Sequence, residues 1–375
     1  MVSLKKFIET LQGMQMDFFA GVPDSLLKSL CAYLTDHLSV EKNIIAANEG
    51  AAVGLVAGHY LATGNPGIVY MQNSGLGNVV NPLMSLTDKE VYHIPLLLLI
   101  GWRGEPGVKD EPQHVKQGKV TLSLLEVMGI RFAVLSEVEG RALQQLKEAQ
   151  HYIKETGEPF ALVVRKGTFE EYKLKSAPQE SIFSLSREEA IHVVAASMER
   201  HDIVVSTTGM ISRELFEYRE AMKQGHEKDF LTVGSMGHAS QIALGIALQV
   251  KGRRVYCFDG DGAVLMHMGA MAIVASFMPN NYVHVVFNNG AHDSVGGQPT
   301  VALKIDMSGI AQACGYIHTF SVSDLSSLQS VLNEIRELEG PILLEIKVRK
   351  GARKDLGRPT TTPEENKRAF MEFLK

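Results

Sequence analysis

The sequence predicts an α/β chain folded as two doubly wound parallel-sheet domains. Two observations carry that prediction. Helical periods alternate with short apolar runs along the whole chain, the pattern that right-handed βαβ crossovers produce. One polar stretch, residues 166–188 (KGTFEEYKLKSAPQESIFSLSRE), holds a proline and no strong period, and reads as a linker between domains 1–165 and 189–375. A chain of 375 residues can bury a full core in each half. No sequence repeat relates the halves, although they remain free to share a fold.

The elements follow in order. Leu4, Phe7, Ile8 and Leu11 recur at helical spacing, with Ser3 as candidate N-cap and Gly13 just past the end. An apolar stretch, residues 16–20, runs into the turn Gly21-Val22-Pro23-Asp24-Ser25. A helix with apolar positions Leu26, Leu27, Leu30, Cys31 and Leu34 comes next, and residues 44–47 read as a short strand. Buried strands are predicted at 68–72, 96–100, 132–135, 160–164, 203–206, 255–258, 283–287 and 342–348.

Composition narrows the function classes. Hydrophobic residues make up 45% and charged residues 21%, and the formal net charge of −5 carries no long acidic or basic block. Nucleic acid and anionic membranes are therefore not expected as partners. No apolar run approaches the 18 or so residues of a membrane span, and the N-terminus lacks an apolar signal core, so a cytoplasmic location is expected. Three cysteines, Cys31, Cys257 and Cys314, fit neither a zinc motif nor a disulfide framework, and Cys257 sits in an apolar run where burial is expected.

The chemistry concentrates in residues 255–289. A strand ends in Asp259-Gly260-Asp261-Gly262, a helical stretch runs to Pro279, and a second strand ends in Asn288-Asn289-Gly290. Ligands of open parallel sheets bind at the carboxyl ends of strands, so adjacent strands bring Asp261 and an asparagine amide to one point. Both are hard oxygen ligands suited to Mg²⁺, an ion that completes its shell with water and phosphate oxygens. Gly260 and Gly262 permit close approach of a diphosphate, with helix N–H groups behind. A lone Gly-Asp-Gly is more often a plain turn; the second strand end shifts the balance. Two more segments stand out: Gly234-Ser235-Met236-Gly237-His238, where Met236 alone would read as core, and Asn48-Glu49-Gly50. There Glu49 opens a helix, a place where a carboxylate commonly satisfies helix N–H groups for about 0.3–1 kcal/mol.

Together these segments resemble the thiamine diphosphate enzymes, and the likeness spans nearly the whole chain: a pyrimidine-binding domain first, a diphosphate-binding domain second, with no middle domain. The resemblance implies thiamine diphosphate and Mg²⁺ as cofactors. It assigns Asp261, Asn289 and the Ala291 carbonyl as metal ligands, with Asn288 an alternative to Asn289 because the spacing is one residue longer than in the larger 2-oxo acid decarboxylases. Met236 resembles the apolar wedge that bends the cofactor, and the Gly234 carbonyl resembles the acceptor of its 4′-amino group. Glu49, in NEGAAVGLVAGHYLATGNPGIVYMQNSGLGN, matches the glutamate that bonds N1′ of the aminopyrimidine and drives its proton relay.

The chain looks like the short class that includes sulfopyruvate and phosphonopyruvate decarboxylases, on GVPDS (21–25), QNSGLGN (72–78), DEPQHVKQG (110–118) and GMISRELF (209–216). Fusion of both domains in one chain favours the phosphonopyruvate enzymes, and so decarboxylation of a small anionic 2-oxo acid. A phosphonate dianion needs cationic or N–H partners; Arg103, Lys109, His114, Lys116, Arg213, His238 and His292 are candidates, and Asp24-Ser25 is either a helix cap or part of the substrate pocket. His114 and His292, expected in polar loops, are candidate proton donors. The resemblance also implies a homodimer or larger self-assembly, with active sites at subunit interfaces. Sulfopyruvate decarboxylation and acyloin formation remain rivals. A nucleotide-dependent oxidoreductase is disfavoured by the lack of G-x-G-x-x-G after the first strand.

Overall fold

Strand assignment follows from period two combined with burial on both faces. The computed structural model describes residues 1–175 and 182–375. It divides into two compact units, Met1–Ala177 and Pro178–Lys375. The first unit holds β1 (Phe19–Gly21), β2 (Asn43–Ile45), β3 (Gly67–Gln72), β4 (Leu96–Gly101), β5 (Arg131–Val134) and β6 (Phe160–Val164). All pair in parallel, in the order β2-β1-β3-β4-β6-β5. Alternate residues of one strand feed opposite cores: Leu97 and Leu99 join one hydrophobic cluster, Leu96, Leu98 and Ile100 the other. That is why these runs read as continuously apolar.

The second unit holds β7 (Ile203–Ser206), β8 (Asp229–Leu231), β9 (Val255–Gly260), β10 (Tyr282–Asn288), the short antiparallel pair β11 (Ala291–His292) and β12 (Gln298–Pro299), then β13 (His318–Val322) and β14 (Ile342–Lys347). Its parallel sheet runs β13-β14-β10-β9-β7-β8. Counting the six parallel strands within each unit, both sheets have the same order, 2-1-3-4-6-5. The halves share a fold that no repeat in the sequence announced.

The opening helix, Leu4–Gly13, buries Leu4, Phe7, Ile8 and Leu11 as its spacing predicts. The edge strands β8 and β13 escaped prediction. β8 is three residues long, and β13 (HTFSV) buries only Val322, so neither shows the apolar run of a central strand. The helical stretch expected between β9 and Pro279 is two helices, Asp261–Met266 and Ala270–Phe277, separated at residues 267–269.

Of the stretch 166–188 read as a linker, Thr168 is fully buried, Phe169 packs edge-on against Phe7, and Glu170 accepts hydrogen bonds from Ser3 and Leu4 of the first helix. Residues 176–181 lie outside the described residues. Ser186 caps the helix Arg187–Ser197 with a reciprocal Glu189 bond. Cys257 is fully buried, as expected. Among the described residues no helix is long and apolar enough to cross a membrane.

Candidate active site

In each unit the strand order reverses between the first and third strands, which opens a crevice at their carboxyl ends. In the second unit the turn after β9 delivers Asp261 to that edge. Asp261 is buried and accepts from the Thr300 hydroxyl. Burial pushes its carboxyl up to about 6, against the pull of the Thr300 and Gly262 hydrogen bonds. A cation would reverse that cost. Adjacent β10 ends in the two asparagines, and the structure gives them different partners. Asn288 is enclosed, its amide donating to Glu345 of β14 at 2.7 Å while its oxygen accepts from Gly290 N–H. Asn289 donates instead to Asp293 at 2.6 Å, and its oxygen accepts from the Ala291 N–H at 3.0 Å.

The segment 234–238 meets the same turn. A methyl group built on Gly262 would stand 3.0–3.1 Å from the His292 ring and 3.5 Å from Met236 Cε. The sequence candidates Met236, Gly262 and His292 therefore converge. Gly234, at φ +76, takes a conformation that favours glycine and donates its N–H to Thr208. His292 lies on β11 rather than in a free loop, and burial lowers its ring to about 4. Beside it in register sits Gln298, fully buried with neither amide atom hydrogen-bonded. His238 stands at the N-cap position of the helix Ala239–Ala247 without a side-chain capping bond, and is exposed. Arg213 donates to the Leu356 and Gly357 carbonyls.

In the first unit, Asn48 is the N-cap of the helix Glu49–Thr63, its side chain accepting from Ala51. Capping is thereby done without Glu49. The Glu49 carboxylate, 5% exposed, accepts instead from Asn78 Nδ2 at 2.7 Å. It lies so close to Gly75 that any side chain there would overlap it. The segment 72–78 ties the crevice together: Gln72 donates to Asp24 at 2.6 Å, and Asn73 donates to the Arg103 carbonyl and to Thr121. Asp24 is fully buried, which raises its carboxyl, and it also accepts from Leu27 N–H.

Arg103 donates to Ser25 and grips Asp110 with two nitrogens, which lowers the Asp110 carboxyl. Ser25, Arg103 and Asp110 are thus one network, while Asp24 is bonded to Gln72 and Leu27. Lys109 and Lys116 are exposed. His114 is not in a loop: Pro112 starts the helix Pro112–Val127 and places His114 in its first turn, buried. Its Nδ1 has no partner, and burial lowers the ring to about 4, with the Arg103 charge adding to the effect.

The residues present fit thiamine diphosphate and Mg²⁺. In the second unit Asp261 and Asn289 offer hard oxygens, glycines clear the turn and Gln298 holds buried polar atoms without partners; within the first unit His114 keeps a buried ring nitrogen without one. By contrast, the grouping of Cys257, Asp259 and His284 is enclosed within the sheet, where His284 pairs with Asp259 and Tyr316. Sequence reasoning gave no role to Asn78, Gly75, Gln72, Thr208, Thr300 or Asp293. The first three lie in a segment whose likeness was visible. Thr300 and Asp293 left no signal, because their partners come from distant or unpatterned positions.

Comparison with known proteins identifies the family. Residues 4–124 match the model for the thiamine pyrophosphate enzyme, N-terminal TPP binding domain, and residues 207–346 that for the thiamine pyrophosphate enzyme, C-terminal TPP binding domain. The chain belongs to the thiamine pyrophosphate enzymes. It is 32% identical over 394 residues to a phosphonopyruvate decarboxylase of Streptomyces viridochromogenes, covering 100% of this chain and 95% of that protein. A phosphonopyruvate decarboxylase of Streptomyces hygroscopicus is 33% identical over 393 residues, covering 100% and 94%. A sulfopyruvate decarboxylase of Methanosarcina acetivorans is 29% identical over 392 residues, covering 99% and 97%.

Proposed function

We propose that this thiamine-dependent carboxy-lyase converts 3-phosphonopyruvate to phosphonoacetaldehyde and CO₂, with Mg²⁺ as its metal and phosphonate biosynthesis as its setting. The observation that carries the reading is Glu49, a buried carboxylate released from capping by Asn48 and held by Asn78 against Gly75. A scaffold that merely bound a cofactor would not need it. The substrate assignment is supported by full-length similarity to two proteins of that name.

Thiamine diphosphate supplies, when bound, a carbon nucleophile and an electron sink for departing CO₂. The chain does the rest. Asp261, Asn289 and the Ala291 carbonyl would hold Mg²⁺ and the diphosphate end of the cofactor, Met236 and the Gly234 carbonyl would seat its rings, and the Glu49 carboxylate would hold the proton it exchanges with the aminopyrimidine. Asp24, Ser25 and Arg103 face the anionic substrate, with Lys109 at the rim. His114 and His292, both held neutral near pH 7 by burial, are the candidate proton carriers to the product carbon. The chain self-associates, on this reading, to a homodimer or larger assembly in the cytoplasm.

The test is product identification. With 3-phosphonopyruvate, thiamine diphosphate and Mg²⁺, ³¹P NMR should show phosphonoacetaldehyde accumulating with one CO₂ per turnover. Absence of that product would refute the reading. The full-length sulfopyruvate relative favours a second reading, and competing the two substrates separates them: the preferred one has the higher kcat/KM. A C–C coupled product would instead indicate acyloin synthesis.

A further inference from the structure

Asp293 sits four residues beyond Asn289, and nothing in its sequence surroundings marks it. Its single oxygen Oδ2 gathers donors from three separate segments: Asn289 Nδ2 at 2.6 Å, Arg187 Nη1 at 3.1 Å and Gly351 N–H at 2.9 Å. Arg187, 5% exposed, is itself clamped by Glu214 through Nε and Nη2, both at 2.8 Å. Arg187 leads a helix and Glu214 lies within the helix Met210–Ala221, so the clamp is anchored in regular structure.

An asparagine amide is useful to a hard cation only with its oxygen turned toward the ion, because the NH₂ end is a donor with no lone pair to offer. Partners outside a metal's own ligands commonly set such orientation. Here a carboxylate oxygen takes the NH₂ end and so dictates where the oxygen points. That oxygen keeps one lone-pair direction beyond the Ala291 N–H.

We propose that Asp293 is a positioning residue, held by Arg187 and the Gly351 N–H, that locks the Asn289 amide with its oxygen facing the cation. The inference rests on the reading of Asn289 as a metal ligand. It assigns Asp293 no contact with substrate or cofactor. Loss of Asp293 leaves Arg187 paired with Glu214, so no buried cation is stranded.

The experiment titrates Mg²⁺ into full-length protein with thiamine diphosphate present, reading bound cofactor by calorimetry and by thermal shift. Asp293→Leu keeps the branched shape but accepts nothing; it should raise half-saturating Mg²⁺ about 10–100-fold, with cofactor binding recovering once Mg²⁺ is in excess. A general folding defect would not be rescued by excess metal. Asp293→Asn retains an accepting oxygen and should stay near wild type. Should the leucine variant not fold, Asp293→Ala gives the same measurement. A wild-type Mg²⁺ requirement in the leucine or alanine variant overturns the proposal, and so does equal impairment of leucine and asparagine variants. Failure of the underlying site reading looks different: wild type would then take up cofactor without regard to Mg²⁺, or Asp261→Ala would bind as wild type does.

Discussion

At the scale of single residues, environment turns ordinary side chains into chemical ones. Glu49 differs from any helix-opening glutamate because Asn48 has taken the capping bond and Asn78 and Gly75 enclose it. Glu49→Ala should cut kcat by about 10²–10⁴-fold, the usual worth of a positioned proton-transfer group, while cofactor still binds. Steady-state kinetics beside calorimetry checks both halves of that statement.

His114 makes a pH prediction. Its folded value of about 4 lies below the ordinary 6.5, so the unfolded chain binds the proton more readily. Stability contributed by keeping this ring neutral is present above about pH 6.5 and is lost as pH falls toward 4. His114→Gln removes that contribution. Urea unfolding at pH 7 and pH 4.5 should therefore show a smaller drop for the variant than for wild type.

Elements place those residues by close packing. Gly118 of the helix Pro112–Val127 lies against the Gly104 backbone, where a side chain would collide with the Gly104 carbonyl. This contact, with the Trp102 indole donating to the Gly118 carbonyl at 2.9 Å, seats the helix that carries His114. Gly118→Ala should destabilise the protein by about 1–3 kcal/mol, the usual range for overpacking, and denaturant midpoints would register it. The DEPQHVKQG segment was visible in sequence as a likeness, yet its helical start was not. His114 is expected from the sequence in a polar loop, yet Pro112 starts a helix there, because proline is favourable at a first helical position where its missing N–H would have no partner anyway.

At the scale of the molecule, two sheets of identical strand order each present a crevice at the strand ends, one holding the Glu49 network and the other Asp261 and Asn289. The proposed self-association has a visible surface. On the helix Glu49–Thr63, Leu55 and Leu61 are exposed, Leu61 at 73%, and Gly54 and Gly58 have nothing within reach of an added side chain. Leu61→Glu places a charge on that face and should weaken self-association by at least about tenfold, roughly 1.4 kcal/mol, as read by sedimentation over a dilution series. An unchanged association constant would remove this face from the interface.

The sequence by itself determined the layered α/β plan, because strands buried on both faces must read as apolar runs and helices between them must show their period. It also put Asp261 and the pair Asn288-Asn289 at the ends of adjacent strands and Glu49 at a helix start, because strand ends and helix starts carry local signals. Edge strands β8 and β13 stayed hidden because a half-exposed strand needs no apolar run. Tertiary structure alone decided that Asn288 turns to Glu345 while Asn289 turns to Asp293, that Asn48 frees Glu49, and that His114 lies buried on a helix. Those outcomes are set by which distant segment supplies the donor or acceptor, and a hydrogen bond between residues far apart leaves no periodic trace in the chain.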